Sequence, residues 1–371
     1  MKKRYKTLNS KLRTPNSEWC CIGVPTFEVQ SSEFRVQSSK LLLSALACLL
    51  ISSCAVGSRP VSARVERGLQ ARSVGAEQIG LHLHGGGQGF SLNVFTADLA
   101  SAPITLPMVR SVGGLPAVKV RLNDAPSITM IADTGAQLCV VEASRALAAR
   151  AQVYAPSEQP FRVTGVGGEE KAWLARFDRL QLGSMELKSL VAVLRRSKTF
   201  YRIGGVPMRG VEVNLLGAPI LGGFRYVTFD YPARRITFSP GTPYQPSAGA
   251  RRIPLTVREN LFYIPLHIGT HTIEAMVDTG AKDQLFLHND VAKTFDIAAR
   301  SKALGTYRAV GLGGEIKGHQ YRLPLALLGD VPFRDVTVDT STGAWQARIG
   351  TDLLEKSRVT FDFAGGALWL E

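Results

Sequence analysis

The sequence predicts an all-β protein made of two similar lobes. Three observations predict it. A series of short motifs occurs twice, in the same order and at a nearly constant offset. The segments around each motif read as short strands separated by polar turns. Only two short stretches, 142–150 and 289–295, read as helices.

The repeat controls the rest. Ile131-Ala132-Asp133-Thr134-Gly135-Ala136 returns as Met276-Val277-Asp278-Thr279-Gly280-Ala281, 145 residues later. Thr164-Gly165-Val166-Gly167-Gly168-Glu169 returns as Val310-Gly311-Leu312-Gly313-Gly314-Glu315, 146 residues later. Leu216-Gly217 followed by Tyr226–Asp230 returns as Ile349-Gly350 followed by Arg358–Asp362, and here the offset falls to 133 residues. The first copy therefore carries about 13 extra residues, assigned to the basic, Gly-containing stretch 195–213, which reads as a surface loop. A lone Asp-Thr-Gly is a common turn; three matched elements in one order are not.

Within each copy the strands follow from pattern. Segments 117–122 and 128–132 flank a polar turn at 123–126, and 263–268 and 272–277 flank Gly269-Thr270-His271. Each Asp-Thr-Gly thus sits just past the second strand of a hairpin. Residues 239–250, rich in Pro, Gly and Ser, mark the boundary between a lobe over 106–245 and a lobe over 246–371. Residues 54–105 form a linker with an extra hairpin, 81–84 and 90–95, around a glycine run.

Residues 1–53 read as an N-terminal extension and leader. Lys40, the apolar block 41–51 and the small residues Ser52 and Ser53 have the order of a secretory signal peptide. Ile51-Ser52-Ser53-Cys54 resembles a bacterial lipobox, which implies cleavage before Cys54 and its lipidation. The expected location is the bacterial cell envelope, lipid-anchored and facing the periplasm. Ala55, where an Asp would imply inner-membrane retention, favours the outer membrane. The leader starts late in the chain, so residues 1–35 are read as an extension that is not translated.

Composition narrows the function. With 45% apolar residues over 371, the chain is not disordered, collagen-like or a disulfide mini-protein. The formal charge is +14, and residues 1–54 hold five of those charges, from eight Lys/Arg against three Asp/Glu. The basic residues of the body are scattered with no interleaved aromatic stripe, so no nucleic-acid partner is expected. Of the five cysteines, only Cys54 and Cys139 follow the leader, which leaves no internal disulfide. Cys139 follows an apolar stretch and reads as a small core residue.

The paired Asp-Thr-Gly-Ala motifs, the Gly-rich turns about 32 residues on and the apolar-Gly pairs together resemble the retropepsin family of aspartic proteases. The resemblance covers about residues 106–371. It implies two fused β-barrel lobes of that type in one chain, an active-site cleft between them, a monomer and no cofactor or metal. It makes Asp133 and Asp278 the catalytic pair. Thr134, Gly135, Ala136, Thr279, Gly280 and Ala281 become the supporting loops. Gly165, Val166, Gly167, Gly168, Gly311, Leu312, Gly313 and Gly314 become flap tips that close on a peptide or protein substrate. In such sites two close carboxyls share one proton; one carboxylate activates water while the other donates to the scissile carbonyl. Alanine after each Gly, instead of Ser or Thr, implies activity at milder acidity.

The alternative is a non-catalytic peptide-binding or structural envelope lipoprotein that keeps this fold. Other motifs are weaker. His84-Gly85-Gly86-Gly87 lacks the Gly-x-Ser-x-Gly elbow that an esterase needs. His82 and His84 lack metal-ligand company and read as surface strand residues. Glu169 and Glu315 read as solvent-facing hairpin charges.

Overall fold

The structure, a computed structural model, describes residues 5–13, 22–23, 55–83, 89–98, 102–111, 113–155, 161–165, 168–203, 206–211, 213–311, 314–342 and 346–371. The leader, Cys54, His84 and the flap residues Val166, Gly167, Leu312 and Gly313 lie outside these.

The fold is all-β, and the repeat is visible strand by strand. In the first half, Pro116–Leu122 pairs antiparallel with Ile128–Asp133. Val118, Val120 and Leu122 are buried while Lys119 and Arg121 are exposed, the alternation expected of a half-buried strand. Leu215–Gly217 runs parallel to Ile128–Asp133, with Gly217 opposite Asp133. In the second half, Leu261–Ile268 pairs antiparallel with His271–Val277. Ala347–Ile349 runs parallel to the latter, with Ile349 opposite Val277. Each half also has a long hairpin, Gly168–Leu182 with Met185–Arg195 and Gly314–Leu328 with Val331–Ser341. Cys139–Glu142 and Leu285–His288 each run parallel to the second strand of their hairpin.

A six-stranded sheet joins the halves. Its two central strands are the repeat-related pair Tyr226–Asp230 and Arg358–Asp362, antiparallel with Thr228 opposite Thr360. The Thr228 and Thr360 hydroxyls are 2.8 Å apart, so a residue meets its own repeat equivalent at the pseudo-twofold axis. Phe229 and Phe361 pack edge-on beside them with centroids 5.7 Å apart. Each half presents one strand to the other, and neither can complete this layer alone.

Two expectations are corrected. The stretch 195–213 is not a loop: Ser197–Ile203 and Val206–Val211 form a hairpin, and Ala55–Pro60 adds a third strand. Lys198 and Arg202 stand among its strand-forming residues Thr199, Tyr201 and Ile203, and Gly204-Gly205 between the two strands is a hairpin signal. The linker carries a helix, Ala63–Gln70, that was not anticipated; Ser62 caps it by accepting a bond from the Val65 amide. Leu81–Leu83 does pair with Gly89–Asp98, as the extra hairpin required. The two short helices are Ala143–Ala148 and Asn289–Thr294, with Ile297–Arg300 following.

Candidate active site

Asp133 is the last residue of its strand, and Asp278 follows the last residue of the equivalent one. Parallel pairing with the apolar-Gly strands holds both loops from behind; the Asp278 amide donates to the Ile349 carbonyl at 2.8 Å. Both carboxyls are fully buried. The Gly135 amide donates to Asp133 Oδ1 at 2.9 Å, and the Gly280 amide donates to Asp278 Oδ1 at 2.8 Å. The other oxygen of each, Oδ2, has no hydrogen-bond partner among the described residues.

The glycines also explain how the two carboxyls come together. A Cβ on Gly135 would lie 2.4 Å from Asp278 Cγ, and a Cβ on Gly280 would lie 2.3 Å from Asp133 Cγ. Each carboxyl therefore rests on the backbone of the opposite loop, and only glycine leaves the room.

The threonines lock the two loops. The Thr134 hydroxyl donates to the Val277 carbonyl at 2.6 Å and accepts from the Thr279 amide at 2.9 Å. Reciprocally, the Thr279 hydroxyl donates to the Ala132 carbonyl at 2.5 Å and accepts from the Thr134 amide at 3.1 Å. Ala136 and Ala281 are buried behind the loops. Their carbonyls accept from the amides of Ala218 and Thr351, which anchors each loop to the short helix after its apolar-Gly pair, Ala218–Leu221 in the first half and Thr351–Leu354 in the second. Gly165 pairs with Gly168, and Gly311 with Gly314, so each Gly-rich segment is the tip of a hairpin whose two central residues lie outside the described set.

Burial raises both carboxyls. Asp133 lies well above the ordinary aspartate range, first from burial and then from the charge of Asp278. Asp278 is pushed up to about 6 by burial, with Arg348 pulling it down and Asp283 pushing it up. One proton held between two such groups is what acid–base work on a bound water requires.

Arg348 and Asp283 were not picked out from the sequence. Both are buried beside Asp278. Arg348 Nε donates to Asp283 Oδ2 at 3.2 Å and a second guanidinium nitrogen bonds the same oxygen, while Nε lies 3.8 Å from Asp278 Oδ2. The guanidinium also sits over the Phe286 ring, 5.1 Å from its centroid. The signal was available: aligning the two copies puts Leu215 against Arg348 and Leu138 against Asp283.

Cys139 is a core residue. Burial pushes its thiol up to about 12, and its Sγ accepts from the Gly217 amide at 3.3 Å. His82 is exposed. Among the described residues no group of three or more His, Cys, Asp or Glu side chains is arranged to hold a metal ion.

Among solved structures, the chain is similar to conglutin gamma, a basic 7S globulin from lupine seeds, at 12% identity; the match covers 73% of this chain and 95% of that one, with a TM-score of 0.43. It is similar to an aspartic proteinase from Irpex lacteus at 13% identity, over 72% and 97% of the two chains, with a TM-score of 0.43. It is also similar to a retropepsin-like aspartic protease from Rickettsia conorii at 26% identity, over 34% of this chain and 95% of that one, with a TM-score of 0.27. No curated protein sequence matches. The family model described as aspartyl protease matches residues 118–220 and 264–354, more than half of the 371. Each matched segment contains one Asp-Thr-Gly-Ala and its apolar-Gly partner, and the chain belongs to the aspartyl protease family.

Proposed function

We propose that the protein is an aspartic endopeptidase in which Asp133 and Asp278 activate a water against a peptide bond. The observation that carries this is the pair of buried carboxyls, each with one oxygen fixed by its own glycine and one without a partner. Burying two carboxyls side by side, each with one oxygen lacking a hydrogen bond, works against folding, so a purely structural role gives no reason to keep both. In the reaction, one carboxylate takes a proton from water as its oxygen bonds the carbonyl carbon. The other carboxyl gives its proton to the carbonyl oxygen. The protonated carboxyl then gives its proton to nitrogen as the C–N bond breaks, a gem-diol hydroxyl gives its proton to the ionised carboxylate as the new C=O forms, and the dyad is left with one proton as before. The substrate is a peptide lying as an extended strand in the cleft under the two Gly-tipped hairpins.

The test is cleavage of a mixed peptide library by the purified protein from about pH 4 to 7, beside Asp133→Asn and Asp278→Asn. Turnover that disappears in both variants supports the reading. A folded wild type with no turnover, or a variant that keeps it, overturns it.

We also propose that the protein is exported and held at the envelope membrane, as a monomer, by lipid on Cys54. The support is the order of Lys40, apolar block, small residues and cysteine. Mass spectrometry of the membrane fraction should find a mature chain beginning at a lipidated Cys54, and Cys54→Ser should release it. Recovery of an unmodified Cys54 would refute the anchor.

A further inference from the structure

The two halves match in register around the dyad, and they differ at two buried positions. Leu215 stands opposite Ile131 in the first half; Arg348 stands opposite Met276, the repeat equivalent, in the second. Leu138 lies five residues after Asp133; Asp283 lies five residues after Asp278. All four side chains are buried. One half thus places two leucines behind its catalytic loop and the other places an ion pair. A buried ion pair is seldom better for stability than two apolar side chains, so its presence on one side only calls for another reason.

The direction of its effect follows from distance. Arg348 Nε is 3.8 Å from Asp278 Oδ2, and Asp283 holds the guanidinium through Nε and a terminal nitrogen. Other groups face the dyad among the described residues. The Cys139 thiol lies behind Asp133. The Tyr231 hydroxyl, in the turn after the inter-lobe strand Tyr226–Asp230, feels the charges of Glu355 and Asp278. Lys282 is tied to Asp352, in the short helix Thr351–Leu354, and to Glu355 just after it. Among the described residues, the cation in ion-pair contact with a dyad carboxyl is Arg348, and its pull on Asp278 exceeds the opposing push of Asp283.

We propose that Arg348, held by Asp283, is a positioning residue that makes the dyad unequal, keeping the negative charge on Asp278 and the shared proton on Asp133. This rests on the peptidase reading above and assigns its roles. Asp278 Oδ2 takes the proton from water as the oxygen bonds the carbonyl carbon. Asp133 gives its proton to the carbonyl oxygen as the C=O π bond opens. After that step Asp278 is protonated and Asp133 is ionised.

The test is a titration followed by NMR, on the full chain with carbon-13 in its aspartate carboxyl groups. Asp133→Asn and Asp278→Asn assign the two signals. Between the two ionisation steps, the Asp278 carbon should sit at its carboxylate position and the Asp133 carbon at its carboxyl position. In Arg348→Leu/Asp283→Leu, which gives the second half the residues of the first, the two signals should converge. The first ionisation should then rise by about one pH unit. Arg348→Gln/Asp283→Asn, neutral and similar in shape, should do the same and serves if the leucine pair fails to fold. Charge residing on Asp133 in the wild type, or signals unmoved in a folded variant, would overturn the proposal. Turnover is read separately: a dyad that titrates this way and cleaves nothing refutes the peptidase and leaves the asymmetry, while an active enzyme with equal carboxyls does the reverse.

Discussion

Gly135 and Gly280 are fixed by what stands opposite them. A methyl group at Gly135 would meet the Asp278 carboxyl at 2.4 Å, and that carboxyl is buried with nowhere to swing. Gly135→Ala should therefore displace Asp278 or the loop and lower turnover by about a hundredfold or more. It should also destabilise the fold by about 1–3 kcal/mol. Peptide turnover and urea unfolding read both effects; an unchanged rate would mean that the loops have slack this packing does not show. The threonines allow a finer comparison. Thr134→Ser keeps a hydroxyl that can both donate to Val277 and accept from Thr279, whereas Thr134→Val orphans both partners. The valine variant should lose about 1–3 kcal/mol for each orphaned group, and the serine variant much less. At this scale the sequence was legible where residues recur: both Asp-Thr-Gly-Ala motifs stand out because each confirms the other. Arg348 and Asp283 were missed for the opposite reason, since they lie where the copies disagree.

At the scale of elements, strands that alternate cleanly were readable and those carrying charge were not. Pro116–Leu122 shows its buried face in its valines and leucine. Ser197–Ile203 carries Lys198 and Arg202 among its strand-forming residues and was read as loop. The helix Ala63–Gln70 was hidden by Gly68, which lies against Leu147; a Cβ there would come within 2.9 Å of that side chain, so close helix packing explains a residue that argues against a helix. The pairing of Tyr226–Asp230 with Arg358–Asp362 was beyond any local pattern, because strands 132 residues apart meet only once both halves exist. This sheet is where the halves depend on each other. Phe361 is fully buried in it, with Phe229, Phe262 and Phe363 around its ring. Phe361→Ala should cost about 3–5 kcal/mol. Because strands from both halves share that layer, urea unfolding should remain a single transition seen equally by fluorescence and circular dichroism. Two separated transitions would show that the halves fold independently.

For the whole molecule, the dyad links function to the dependence of stability on pH. An aspartate in the unfolded chain ionises near 3.8, while burial raises Asp278 to about 6 and lifts Asp133 well above the ordinary range. The folded chain therefore holds more protons than the unfolded chain across that interval. The dyad's contribution to stability is full below the unfolded value and is lost as pH rises through the folded one. Other ionisable groups also titrate, so the dyad must be isolated by difference. Asp133→Asn/Asp278→Asn removes both charges and keeps the shapes. It should be close to the wild type in stability near pH 4 and exceed it at pH 7, by roughly 3 kcal/mol from the Asp278 shift alone. The Asp278 part of that gap should open between about pH 4 and 6. Equilibrium unfolding in urea at a series of pH values gives the curve. A gap that stays flat would mean that the carboxyls ionise in the fold as easily as in the open chain, which their burial and their unpartnered Oδ2 atoms argue against. A gap of the opposite sign would mean that the anions are stabilised, as ion-paired structural carboxylates are. The expected sign belongs to a site kept at the expense of stability, and that is the sign a proton-sharing catalytic pair should show.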